Sequence, residues 1–417
     1  MKKLLFGILI FSFSLIDSAG LNEAHEKFKE NKIDEVLSIV ESYTVENPDD
    51  AEGWFYMGRY LHYKLYDTGR RGYDEEKSDK VLEYLNKAVS MSDTIGNAYY
   101  YLGVEYGVRG HYAFIYKDTV KSKEEFKKGR DAGGYPDWML EYAKNVLKSC
   151  SKNAILFGGG DAELNSIWYL QSCENYRRDV TAIPIGLLSY PPFVNFIREG
   201  IDNYFAPINT SWTKDMVDSM SVMKLDTALQ IVKVAKSMKK KFKLPADYLM
   251  KWKLEEDFDY NGEKVVMPGT MLMIDIVREN NWERDICFTL GTSEKWRSSM
   301  NDFLQINGFV LKLTPKILDE DEKIDAKSTE KILLDKKNFE KYPEIMKLDY
   351  PRCSMILTNY ASALLMLNEQ YGITQQTKKQ KEIVKFIKKN LDKRGDFFYP
   401  QLAQYLDSLY MQYGMQE

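Results

Sequence analysis

From Leu21 to about Cys150 apolar residues return every three or four positions, and the pattern predicts helix after helix. Two of these helices share a signature. Trp54, Met57, Gly58 and Leu61 in WFYMGRYL have the spacing of Tyr99, Leu102, Gly103 and Tyr106 in YYYLGVEY. In each, large residues flank a glycine on one helical face, and the glycine lets a partner helix come close. Partner helices are read at Val36, Val40 and Tyr43, closed by ENPDD with Pro48; at Val81, Leu85 and Ala88; and at Ser122, Phe126 and Gly129. DWMLEYAKNVLKSC reads as a capping helix.

After Ser151 the period changes. NAILFGG reads as a short buried strand, the stretch from Glu163 to Tyr176 as a helix, and DVTAIPIGLL as a second buried strand. PGTMLMIDIVRENNW and RDICFTLG repeat helix and strand, and WRSSMNDFLQING and GFVLKLTP are read as repeating them again. Between the halves, residues 203–265 are read as largely helical. LDTALQIVKVAKSMKKKFKLP is taken there as an amphipathic helix whose lysines face solvent, and DYNGEKVVM as a hairpin turning at Asn261–Gly262. LDEDEKIDAKSTEK (Leu318–Lys331) reads as an exposed loop, and three helices follow Pro351.

The helical stretch resembles about three tetratricopeptide repeats, with YDTGRRGYDEE as an insertion. The expected fold is therefore all-α followed by α/β. A TPR-like solenoid spans 20–150, and a Rossmann-like parallel domain spans 151–350 with its helical insertion at 203–265. C-terminal helices cover 351–417.

Composition changes this picture little: 417 residues, 44% hydrophobic and 29% charged, with a net charge of −4. No domain is strongly basic, so nucleic acid is not an expected partner. The N-terminus matters more. Lys2 and Lys3 precede an apolar run from Leu4 to Ile16, then Ser18, Ala19 and Gly20. Residues 1–19 read as a signal peptide, with an uncleaved anchor as the alternative, and the protein is expected to be exported. Cys150, Cys173, Cys287 and Cys353 form no CxxC pair and are expected as buried thiols, one disulfide staying open. His25, His62 and His111 lie far apart, so no metal site and no cofactor are expected.

The candidate chemistry sits in ILFGGGDAELNSIWYLQ. Gly158, Gly159 and Gly160 follow the first strand, where backbone N–H groups can meet an anion and where open α/β sheets bind ligands. The full dinucleotide fingerprint and the P-loop lysine are absent. Asp161 can accept a sugar hydroxyl or cap the helix that follows; Asp161 and Glu163 together can act as paired acids, or simply favour the helix N-terminus. In the repeats, Phe55, Arg59 and His62, then Tyr100, Val104 and Gly107, are expected to line a concave groove for a peptide.

The order NAILFGGGDAELNSIWYLQ, RRDVTAIPIGLL, MLMIDIVRENNWERDICFTL, FLQINGFVLKLTP resembles the soluble C-terminal region of multi-pass membrane proteins of Gram-negative bacteria described as glycosyltransferase-like or protein O-mannosyltransferase-like. It covers about half of the chain. Gly160 and Asp161 match that family's loop, Glu163 replaces its second aspartate, and both its asparagines are lost. Trp168–Gln171, Asn280–Trp282 and Arg284 match better. The membrane half, where transferase chemistry is expected, has no counterpart here. The resulting expectation is a periplasmic, non-catalytic scaffold of a cell-envelope complex, binding protein partners through the groove and touching the membrane only through partners or an anchor. The alternative is a glycan- or sugar-phosphate-binding protein, or a carbohydrate-active enzyme, using the Gly158–Glu163 turn.

Overall fold

The computed structural model describes residues 20–67, 73–226, 228–348, 350, 352–391 and 400–415; the expected signal peptide, 1–19, lies outside them. Helices open and close the chain, with a mixed sheet region between. The chain divides into two compact units. One comprises Met1–Tyr112, Lys127–Gly134 and Leu348–Pro351; the other comprises Ala113–Phe126, Tyr135–Lys347 and Arg352–Glu417.

The first unit holds α1 (20–29), α2 (Ile33–Glu46), α3 (Ala51–Tyr66), α4 (Glu75–Met91) and most of α5 (Gly96–Ile115). Asp50 caps α3 by accepting from the Glu52 N–H at 3.1 Å, and Tyr43 donates to the same side chain at 2.7 Å. Asp74 caps α4. The partner-helix residues read from the sequence are buried, while on the two signature helices Met57, Gly58, Leu102 and Gly103 are buried and Trp54, Leu61, Tyr99 and Tyr106 only partly so. Val36, Val40 and Tyr43 meet Met57 and Tyr60, and Val81, Leu85 and Ala88 meet Phe55, Ala98 and Leu102. Both signature glycines are needed for close approach. A Cβ on Gly58 would lie 2.8 Å from Leu85, and one on Gly103 would lie 2.8 Å from the Gly134 backbone.

The second unit is built on a five-stranded sheet in the order β2-β1-β8-β10-β9. β1 (Ile155–Gly158) runs parallel to β2 (Thr181–Pro184) on one side and to β8 (Ile286–Thr289) on the other. β1 and β8 are buried throughout, as expected of parallel strands covered on both faces. α6 (Thr119–Asp131) contributes to both units, and α7 (Asp137–Ser149), read as a cap for the repeats, belongs to this one. α8 (Asp161–Cys173) connects β1 to β2.

The sheet expected as parallel throughout is mixed, and the helix expected over WRSSMNDFLQING ends instead in a strand. Leu304–Asn307 is a strand, β9, paired antiparallel with β10 (Val310–Leu313), which pairs antiparallel with β8. Gly308, at φ 62°, turns the chain between them. Its N–H donates to Thr329 Oγ1, and the Phe309 N–H donates to Ser149 Oγ. A two-residue connection can only make a hairpin.

The stretch 203–265 is also corrected. It follows α9 (Pro191–Glu199) and, among the described residues, contains only two short helices, α10 (Lys214–Asp218) and α11 (Lys236–Lys241). β4 (Leu229–Lys233) pairs antiparallel with β5 (Leu249–Lys253), and β3 (Met223–Lys224) pairs with β7 (Glu263–Val266), which pairs with β6 (Phe258–Tyr260). Along β4 burial alternates, with Gln230 and Val232 inward, which is the period of a strand and not of a helix. The hairpin at Asn261–Gly262 forms as read, with φ 54° and 82°.

α12 (Pro268–Glu279) precedes β8. α13 (Ala326–Leu333) occupies part of the expected exposed loop, capped by Asp325, and buries Thr329 and Leu333. α14 (Cys353–Ile373), α15 (Thr377–Leu391) and α16 (Pro400–Gln412) close the chain. α14 packs through Tyr360, whose ring lies 4.9 Å from Phe309 and 5.6 Å from Tyr142. All four cysteines are free thiols.

Gly103→Ala should lower stability by about 1–3 kcal/mol, because the new methyl group meets backbone that cannot step aside. Gly186→Ala, at a position with nothing within 4 Å, should stay within about 0.5 kcal/mol. Chemical denaturation followed by circular dichroism checks both; equal effects would contradict the close approach.

Candidate functional site

β1 has β2 on one side and β8 on the other, so the chain reverses its direction of travel across the sheet at the β1/β8 boundary. That switch point is where open α/β sheets hold ligands, beyond the C-terminal ends of the strands. Gly158–Glu163 leads out of β1 there, and Thr289–Asn301 leads out of β8. Gly158 and Gly159 do not have left-handed φ values. Their small size serves packing instead. A Cβ on Gly158 would lie 2.8 Å from Leu164, and one on Gly159 would lie 3.4 Å from both Thr292 and the Trp296 ring. Gly160 is extended, at φ −145°, and open.

The two acids part company. Asp161 is exposed at the first position of α8. Glu163 is 1% exposed. Its Oε1 accepts from Tyr142 of α7 at 2.9 Å, and its Oε2 accepts from Thr289 at the end of β8 at 2.6 Å. Gly291 lies against the carboxyl, where a Cβ would crowd Oε1 at 3.1 Å. The Tyr142 hydroxyl in turn accepts from Asn359 of α14 at 2.7 Å. Burial pushes the Glu163 carboxyl above its usual range, and the bonds from Thr289 and Tyr142, with the charge of Arg352, pull it back. Burial, and then the charge of Glu163, hold the Tyr142 phenol well above its usual range. Glu163 is thus a buried tie between α8, β8, α7 and α14, and it does not pair with Asp161 as an acid–base couple.

The β8 loop was not singled out from the sequence. Trp296 lies over Gly159 and remains 43% exposed. Ser298 and Ser299 have left-handed φ values of 49° and 59°, uncommon for serine. Beside them is a cleft of about 480 Å3 with Asp257, Thr270, Glu294, Ser298 and Ser299 in its wall. Asp257 is committed within the wall: it accepts from the Met267 N–H at 2.7 Å and from Thr270 at 2.8 Å. The run TSEKWRSS offered one readable sign, a tryptophan among small polar residues directly after a buried strand.

The matched motif residues hold the opposite end of the sheet. Trp168 donates to the Ala182 carbonyl at 3.2 Å, and Gln171 donates to those of Arg177 and Val180 at 2.9 and 2.7 Å. Arg284 reaches the carbonyls of Asn153, Pro207 and Ala154 and the hydroxyl of Thr181. Asn280 bonds both the N–H and the carbonyl of Arg284. Their task is to join strand starts.

In the first unit the expected groove residues lie inside. Phe55, His62, Tyr100 and Val104 are buried, and so is Gly107. His62 Nδ1 lies 2.7 Å from Glu105 Oε2, and Glu105 also accepts from Tyr66 at 3.1 Å and from Ser78. Arg109 donates to Ser78 at 2.8 Å and to Asp79 at 2.5 Å. Arg59 is half-buried, its guanidinium 5.7–5.8 Å from the rings of Phe28, Tyr56 and Tyr60. The physical reason is that α5 is buried around most of its circumference between Leu102 and Gly110, which leaves no face of it for a partner. Among the described residues an open concavity of this unit lies elsewhere: a cleft of about 700 Å3 lined by His25, Tyr43 and Tyr56 and edged by Glu46, Asp49 and Glu52.

A family model described as TMEM260-associated domain 2 matches residues 139–257 and 227–331. The matched stretch runs from α7 to α13 and takes in all three sheets and the Glu163 tie. No curated protein matches the chain. Among the described residues no helix is long and apolar enough to cross a membrane.

The Glu163 tie has a signed pH dependence. A carboxyl whose folded pKa is raised adds stability while protonated and loses it as pH climbs from its unfolded value, 4.5, through the raised folded one. Glu163→Gln removes that titration and leaves one donor without its acceptor, at a cost of about 1–3 kcal/mol. The stability gap between wild type and variant should therefore be widest below pH 4.5 and narrow upward. Denaturant titration at several pH values reads it, and a gap that widens with pH would contradict the buried placement.

Proposed function

We propose that this protein is an exported, non-catalytic scaffold of a Gram-negative cell-envelope complex. Its N-terminal helices form a TPR-like solenoid that captures a protein partner, and its Rossmann-like domain is a docking module. The observation that carries this reading is the cleft of the first unit, where the half-buried ring of Tyr56 stands beside His25, with Glu46, Asp49 and Glu52 in the wall. Aromatic walls with an acidic margin suit an extended basic segment, whose side chains lay their stems on the rings and their charges on the carboxylates. Two further points support it: both oxygens of Glu163 are engaged in holding helices and strands together, and Lys2, Lys3 and the apolar run after them have the form of an export signal. In-cell crosslinking of the full-length chain tests it. Glu46→Lys with Asp49→Lys, both exposed, should abolish partner capture without altering circular dichroism. Undiminished capture by that double variant contradicts the reading.

A carbohydrate-binding reading has one specific observation in its favour, the exposed face of Trp296 at the sheet's switch point. An exposed indole beside small polar groups can stack on a sugar ring. If glycans bind there, a panel of soluble oligosaccharides and sugar phosphates should raise the melting temperature of the wild type and not that of Trp296→Ala. Equal shifts, or none, remove this reading.

A further inference from the structure

The ribbon of β4 and β5 has two unlike faces. Inward, Gln230 opposes Trp252 and Val232 opposes Met250, and all four are buried. Outward, Leu229 opposes Lys253, Ile231 opposes Lys251 and Lys233 opposes Leu249. Leu229 is 53% exposed and Ile231 42% exposed. Directly opposed residues of an antiparallel pair project to the same side, so aliphatic and lysine side chains alternate across one outward surface. The connection between the strands continues the charge with Lys236, Lys240, Lys241 and Lys243, all exposed. From Leu229 to Lys253 there are eight lysines, one acid (Asp247) and no arginine, in a chain of net charge −4. Among the described residues none of Lys233, Lys251 and Lys253 forms an ion pair, and the nearby Glu256 is held by Lys264 at 3.0 Å.

We propose that this outward ribbon face is a docking surface for an anionic phospholipid bilayer. A solvated ribbon would place polar residues at its alternate positions, whereas here aliphatic side chains stand between unpaired ammonium groups. Lipid headgroups meet that pattern chemically: phosphates receive the lysines, and the acyl boundary receives Leu229 and Ile231. A nucleic acid is the less fitting polyanion, because the outward face offers no arginine, amide or ring to base edges. The surface would bring the domain to the bilayer by itself, with no spanning segment.

The test is co-sedimentation of the full-length protein with vesicles of phosphatidylcholine alone and of phosphatidylcholine with about a third phosphatidylglycerol, a content that sets up an anionic surface potential. The anionic-over-neutral preference is the quantity read, since an apolar N-terminal segment would enter both vesicles alike. Wild type should prefer the anionic vesicles and lose the preference with rising salt. Lys251→Glu with Lys253→Glu should cut the preference at least about tenfold, from roughly fivefold per lysine near the surface. Ile231→Ser should weaken anionic binding while leaving the salt dependence in place. All variants should keep the wild-type melting temperature. Equal partition into both vesicles, an undiminished preference in the double variant, or capture by duplex DNA as tight as by the vesicles would overturn the proposal.

Discussion

A carboxylate taken out of water is costly unless its oxygens are hydrogen-bonded, and Glu163 sets the arrangement of the second unit by that requirement. To satisfy it, Tyr142 must come from α7 and Thr289 from the end of β8. Those demands fix where α8 starts and how the β8 loop leaves the sheet. Through Asn359 and Tyr142 they also fix how α14 lies against it. Gly158, Gly159 and Gly291 are small because the elements so held come within van der Waals contact. The position where an open sheet would hold a ligand is thereby filled by the chain itself, apart from the exposed face of Trp296 and the cleft beside Ser298 and Ser299.

The other end of the strands is held differently. Arg284 distributes its guanidinium over carbonyls at the starts of β1 and β2, and Asn280 fixes the turn that presents it. Arg177 does a related job at the end of α7, donating to the carbonyls of Leu147, Cys150 and Ser151. One end of the sheet is thus closed by a carboxyl among hydroxyls and the other by a guanidinium among carbonyls. Trp168, Gln171, Asn280 and Arg284 all belong to this scaffolding.

How much of this the sequence disclosed depended on whether a signal was local. Gly58 and Gly103 announced close helix packing because helical spacing and a missing side chain suffice to read it. Asn261–Gly262 announced a hairpin, yet the same Asn-Gly pair at 307–308 was passed over, since the residues before it also fit a helix period. Ile231 and Val232 favoured a strand, but the lysines after them extended an apparent amphipathic helix; the alternation emerges only once β5 pairs with β4. Phe55, His62, Tyr100 and Val104 were read as groove residues because spacing along one helix does not say how much of its circumference is covered. Glu163 was visible as an acid near a glycine turn, but its partners Tyr142 and Thr289 lie 21 and 126 positions away, and Asn359, which donates to Tyr142, lies 217 positions from that tyrosine. No local pattern encodes such a set.

Glu163 closes the domain's own glycine turn by holding α7 and β8 against it. Hydrogen–deuterium exchange on wild type and Glu163→Gln tests that closure most directly. If Glu163 is the tie, the variant loses protection together in the Gly158–Asp161 turn, in the Gly291–Asn301 loop and at the start of α14, while β10 and α3 stay unchanged. Protection that is unaltered at all three places, or lost evenly across the second unit, would contradict the account.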